Sequence, residues 1–85
     1  MNFIFKILLN LWGGKDMPLI LANLGSQMNI KKIKGNDETR RFLSSLGFIT
    51  GEVVTVISEF GGNLIINVKD TRVALDKGMA SRIIV

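Results

Sequence analysis

Asn36-Asp37-Glu38-Thr39-Arg40-Arg41-Phe42-Leu43-Ser44-Ser45-Leu46-Gly47-Phe48-Ile49-Thr50-Gly51-Glu52-Val53-Val54-Thr55-Val56-Ile57-Ser58 holds a helix with both its end signals and then a run that only a strand suits. Asn36 is a capping residue, and Asp37 and Glu38 fall in the first turn, where the helix dipole favours negative charge. Phe42, Leu43 and Leu46 supply an apolar face. Gly47 stands where a left-handed residue closes a helix, with Phe48 next to fold back on it. The spacing predicts a helix over about 37–46. Thr50-Gly51 then turns the chain. Glu52 to Ser58 is β-branched and strand-forming.

Working outward, the remainder past residue 16 reads as short strands. Pro18 to Ala22 is an apolar run stopped by Leu24-Gly25-Ser26. Met28 to Lys31 alternates apolar and polar, as a half-buried strand does. The alternation slips at the adjacent Lys31 and Lys32, which predicts a bulge that restores Ile33 to the inner face. After Ser58, Phe60-Gly61-Gly62-Asn63 is a hairpin turn. Leu64, Ile66 and Val68 alternate with Asn63, Ile65, Asn67 and Lys69. Asp70-Thr71 makes another turn, Arg72 to Leu75 returns as a strand, and Asp76 can cap a short helical turn before Arg82 to Val85. Phe42, Leu46, Phe48, Val54, Val56, Leu64, Ile66 and Val68 are the expected core. The fold class is mainly β: five to six short strands and one short helix. Strands this short need their edges closed, so a small, partly open barrel plugged by the helix is expected.

Residues 1–16 differ in composition. They hold three of the six aromatic residues of the chain, Phe3, Phe5 and Trp12. Asn2, Lys6 and Asn10 lie four apart and form one narrow polar stripe, so residues 1–12 read as an amphipathic helix with a broad apolar face. It is too short to span a bilayer, which needs about 20 apolar residues. It lacks the basic start and small-residue cleavage site of a signal peptide. It either docks on a membrane or a partner groove through Phe3, Phe5 and Trp12, folds back on its own domain, or precedes a domain beginning at Met17 as a leader without structural weight. The expected organisation is an extension over 1–16 and a barrel over 17–85.

Composition limits the chemistry. The 85 residues include neither Cys nor His nor Tyr. Thiolate metal sites, disulfides, cysteine nucleophiles and the usual general base are excluded. Ser44-Ser45, Lys77 and the acidic residues form no nucleophile–base pattern. Glu52, Glu59 and Asp70 are the candidate hard-ion ligands, but their spacing is unconvincing and no metal or cofactor site is expected. The net charge of +4 suits an acidic partner, an anionic surface or simply solubility. Arg40 and Arg41 are candidates for an acidic partner face, or a solvated face paired with Asp37. Lys31, Lys32 and Lys34 read as a solvated edge that discourages strand pairing. Gly61-Gly62 is followed by no phosphate-loop lysine.

The helix–Leu-Gly-Phe–strand segment over 37–58, together with Gly62 to Lys69, Arg72 to Asp76 and Met79 to Val85, resembles the FeoA family. The resemblance covers Met17 to Val85 and implies an SH3-like β-barrel. It implies a small cytoplasmic accessory protein of bacterial ferrous iron uptake that acts on the cytoplasmic GTP-binding domain of the FeoB-type permease. Iron would be met through that pathway and not as a resident cofactor. The location implied is cytoplasmic, with peripheral contact at the inner face of the plasma membrane through residues 1–12. A related barrel ends the iron-dependent repressors, so an iron-responsive regulatory domain is one alternative. A nucleic-acid-binding barrel is the other, with Phe60 as its single stacking candidate.

Overall fold

The computed structural model describes residues 16–85. The helical reading of residues 1–12, with Phe3, Phe5 and Trp12, lies outside the described residues. Six strands form two antiparallel sheets. β1 (Gln27–Asn29), β3 (Val53–Phe60), β4 (Asn63–Val68) and β5 (Thr71–Asp76) make a four-stranded sheet in the order β1-β3-β4-β5. β2 (Lys32–Ile33) pairs with β6 (Ile83–Ile84). The α1 helix (Asp37–Ser45) lies between β2 and β3 in the chain, and one helical turn, α2 (Lys77–Ala80), joins β5 to β6. This is a mainly-β, SH3-like barrel.

α1 starts and stops where its sequence says it should. The Asn36 side chain accepts a hydrogen bond from the Thr39 amide at 2.8 Å. At the other end the Phe48 amide donates to Leu43 O at 3.0 Å and the Gly47 amide to Ser44 O at 2.9 Å. That pair of bonds is the Schellman closure, and it holds Gly47 at φ +106°. The last helical residue is Ser45, with Leu46 as the cap.

Inward residues alternate as expected. Val54 and Val56 on β3 face Val68 and Ile66 on β4, and Leu64 faces Leu75 on β5. All are buried, and they form one core with Ile30, Leu43, Phe48, Ile83 and Val85. The β3–β4 hairpin turns at Gly61 (φ +58°) and Gly62 (φ +82°), the geometry for which paired glycines are suited. The Asp76 side chain caps α2, accepting from the Met79 amide at 2.7 Å.

Four expectations change. The apolar run after Pro18 is a 3-10 turn, Leu19–Leu21, and not a strand. Pro18 makes one bridge to Ile84, and the turn then buries Leu19 while leaving Ile20 exposed. Sheet geometry continued through this run would have demanded more paired edge than the short β6 offers. The slip at Lys31 and Lys32 is no bulge. The Ile30 amide bonds to Glu52 O beside β3, whereas the Lys31 amide bonds to Ile84 O on β6. The chain changes sheets there, which is how a barrel turns a corner without keeping one alternation. The bulge occurs at Ile57, between the pairs Val56–Ile66 and Ser58–Ile65. The turn after β4 is Lys69-Asp70, because Thr71 already pairs with Val68.

Phe42 is the fourth correction. It was expected in the core but is 47% exposed. Adjacent helical residues point about 100° apart, so Phe42 and Leu43 cannot both face inward. The inner stripe is Thr39, Leu43 and Leu46, at i, i+4 and i+7, of which only Leu43 is fully buried.

Candidate partner-binding site

The two adjacent arginines of α1 diverge for the same reason that Phe42 and Leu43 do. Arg40 and Ser44 lie one helical turn apart on a single ridge. That ridge forms one wall of an open cleft of about 260 Å³, completed by Lys32, Ile33, Phe48, Ile49 and Thr50. Arg41 does not line it. Both arginines are exposed. The pairing with Asp37 does not form; the ion pairs among the described residues are Lys69–Glu52, at 4.0 Å, and Lys77–Glu59.

Lys32 was read as a solvated edge and proves to be a wall of the same cleft. No local signal marks it. Its place follows from the change of sheet at Ile30-Lys31, which pairs β2 with β6 and leaves Lys32 and Ile33 lining one cleft with Arg40 and Ser44. Phe48 is fully buried and Ile49 half-exposed, so the cleft has apolar residues between its two cationic ones. No Asp or Glu lines it.

Charge is unevenly distributed. The β2 region, α1 and Arg82, whose carbonyl accepts from the Lys34 amide at 2.8 Å, carry six cationic side chains against two acidic ones, a net +4. The rest of the described chain has three cationic against five acidic, a net −2.

A second groove of about 250 Å³ lies on the other side of α1, lined by Asn36, Glu38, Thr39, Phe42 and Met79. Phe60 is 79% exposed at the tip of the β3–β4 hairpin. It lines neither described groove. The Ser45 hydroxyl donates to Phe42 O at 2.6 Å and is occupied within the helix. Of the candidate ligands, Glu52 and Glu59 each pair with a lysine. Among the described residues no group of three His, Cys, Asp or Glu could hold a metal ion. Likewise, among the described residues no helix is long and apolar enough to cross a membrane.

Residues 17–85, the whole of this barrel, match the family model described as the FeoA domain. The chain belongs to the FeoA family. A curated protein of Methanocaldococcus jannaschii that carries the name Fe(2+) transport protein A is 32% identical over 68 residues, which is 80% of this chain and 83% of that one. The crystal structure of an iron uptake regulatory protein (FeoA) superimposes with a TM-score of 0.75 at 28% identity, covering 82% of this chain and 95% of the other. A FeoA of Stenotrophomonas maltophilia, crystallised with zinc and described as a prokaryotic SH3 domain protein, gives a TM-score of 0.63 at 30% identity over 72% of this chain and 79% of that one.

The FeoA family belongs to ferrous iron transport. In this FeoA chain Arg40 and Lys32 line the first cleft, and Phe42 and Met79 line the second groove. Of the two arginines singled out in the sequence, Arg40 lines the cleft and Arg41 is exposed away from it.

Proposed function

We propose that this FeoA chain is a non-enzymatic accessory module of ferrous iron uptake that binds and regulates the cytoplasmic GTP-binding domain of a FeoB-type permease. The observation that supports this best is the cleft lined by Arg40 and Lys32, neither in an ion pair among the described residues, in a part of the chain whose net charge is opposite in sign to that of the other described residues. Arginine beside apolar side chains is enriched where proteins meet, and a cationic patch steers an acidic partner toward it. The module works at the cytoplasmic side of the membrane, with residues 17–85 as the barrel and residues 1–16 as an extension that contacts the permease or the lipid surface. Ferrous iron is the cargo of the pathway, and no resident metal is required.

The test is a pull-down of the full chain, and of the chain starting at Met17, against the permease's GTP-binding domain, together with the rate of nucleotide release from that domain. Binding by both assigns the contact to the barrel. Binding lost only in the shortened chain assigns it to residues 1–16. Failure of both to bind ends this reading.

A further inference from the structure

We propose that the cleft between β2 and α1 is a docking groove for an extended acidic peptide segment, with carboxylates meeting Lys32 and Arg40 and an apolar side chain lying on Ile33 and Ile49. This rests on the geometry of the cleft and not on the identity of the permease.

Charge complementarity supplies the first argument. Two cations stand on opposite walls, no carboxylate lines the space, and the surrounding surface is net positive. Size supplies the second. At about 260 Å³ the cleft falls below the ~300–1,000 Å³ of enclosed small-molecule sites, and it opens to solvent. It suits side chains presented by a chain lying across it. The third argument is the main chain of β2. The Lys34 amide bonds to Arg82 O on the β6 side. In an antiparallel ladder successive residues turn their amide and carbonyl to opposite sides. Ile33, the next residue back, pairs with Ile83 and therefore turns its own away from β6, toward the other edge of β2. A peptide laid along that edge gains backbone hydrogen bonds as well as ion pairs.

Other anions fit less well. Single-stranded nucleic acid needs aromatic faces to stack on. The only aromatic residue in the cleft, Phe48, is fully buried. An anionic lipid surface would engage the exposed Lys31 and Lys34 as much as the pair facing each other across the groove.

The experiment titrates the isotopically labelled full chain with a capped peptide, Gly-Glu-Ser-Leu-Ser-Glu-Gly, whose two Glu and one Leu share a face when extended, and follows backbone amide shifts by NMR. Shifts should concentrate on Lys32, Ile33, Ser44, Ile49 and Thr50. The peptide with both Glu replaced by Gln should bind about tenfold more weakly. Arg40→Ala and Lys32→Ala should each weaken binding about fivefold, and Arg41→Ala less than about twofold, for solvent-exposed charges of this kind. Amide spectra of the variants report that they remain folded. Shifts centred elsewhere, equal binding of the Gln peptide, or equal loss in Arg41→Ala would overturn the proposal. So would tighter competition for the same residues by an oligothymidine or by phosphatidylserine vesicles. Peptide binding without permease binding would sink the proposed function and leave the groove standing; the reverse result would remove the groove alone.

Discussion

Met17 and Val85 exchange two main-chain hydrogen bonds, at 2.9 and 2.8 Å, so the start and the end of the family match are laced to each other across the barrel. Pro18 adds its bridge to Ile84, and Lys31 donates to Ile84 O at 2.7 Å. Ile84 and Val85 thus hold two separate segments, Met17-Pro18 and the start of β2.

Removing Ile84 and Val85 breaks all of these at once. It also exposes the partners of two buried side chains, each worth ~1.5–3 kcal/mol. A domain of this length has a total stability of only ~4–13 kcal/mol. The shortened chain should show no cooperative thermal transition by circular dichroism. A melt within a few degrees of the full chain would show that the closure is dispensable.

Gly47 should tolerate substitution poorly. Its φ of +106° is one that side-chain-bearing residues rarely adopt, while an added Cβ would meet Val68 Cγ2 at an ordinary 3.5 Å. The cost is therefore conformational and not steric. Gly47→Ala should lower stability by ~1–2 kcal/mol, and Asn36→Ala by ~1 kcal/mol through loss of the cap, both read from urea midpoints. An unchanged midpoint for Gly47→Ala would mean the Schellman closure rearranges freely.

The ends of α1 and the Gly61-Gly62 hairpin were legible because their signals are local: a capping side chain, a residue that reaches positive φ, a two-residue loop. What misled was decided at a distance. Leu19 curls into a 3-10 turn because β6 is short. Ile30 and Ile33 differ in parity because the chain changes sheets between them. Lys32 belongs to a cleft that β2 and α1 line together, and nothing within several residues of it encodes that neighbour. Phe42 is a different case. The helical angle between Phe42 and Leu43 was available in the sequence, and hydrophobicity alone was allowed to outweigh it.

Phe42 and Phe48 now make opposite predictions. Phe48 is fully buried and Phe42 half-exposed. Phe48→Ala should cost ~3–5 kcal/mol. Phe42→Ala should cost less than ~1 kcal/mol, as a partly solvated side chain without a core role. Chemical denaturation of the two variants separates them. Comparable losses would place Phe42 in the core after all.

Two adjacent residues without glycine's freedom, Lys69 at φ +49° and Asp70 at φ +61°, make the turn between β4 and β5. The same geometry at Gly61-Gly62 is free of that strain, so the barrel contains its own control. Asp tolerates the left-handed region better than most residues, and Lys does not. Lys69 is held in part by Glu52, but their contact at 4.0 Å is partly exposed and contributes little. Lys69→Asn with Asp70→Gly installs the pair this turn prefers. Release of strain at Lys69 should outweigh the lost contact and the added freedom of glycine in the unfolded chain, for a net gain of ~0.5–1 kcal/mol. The melting temperature of the double variant should rise. If it falls instead, Glu52 and the neighbouring Gly47 backbone hold Lys69 more firmly than its dihedral angle strains it, and the turn is part of the helix closure.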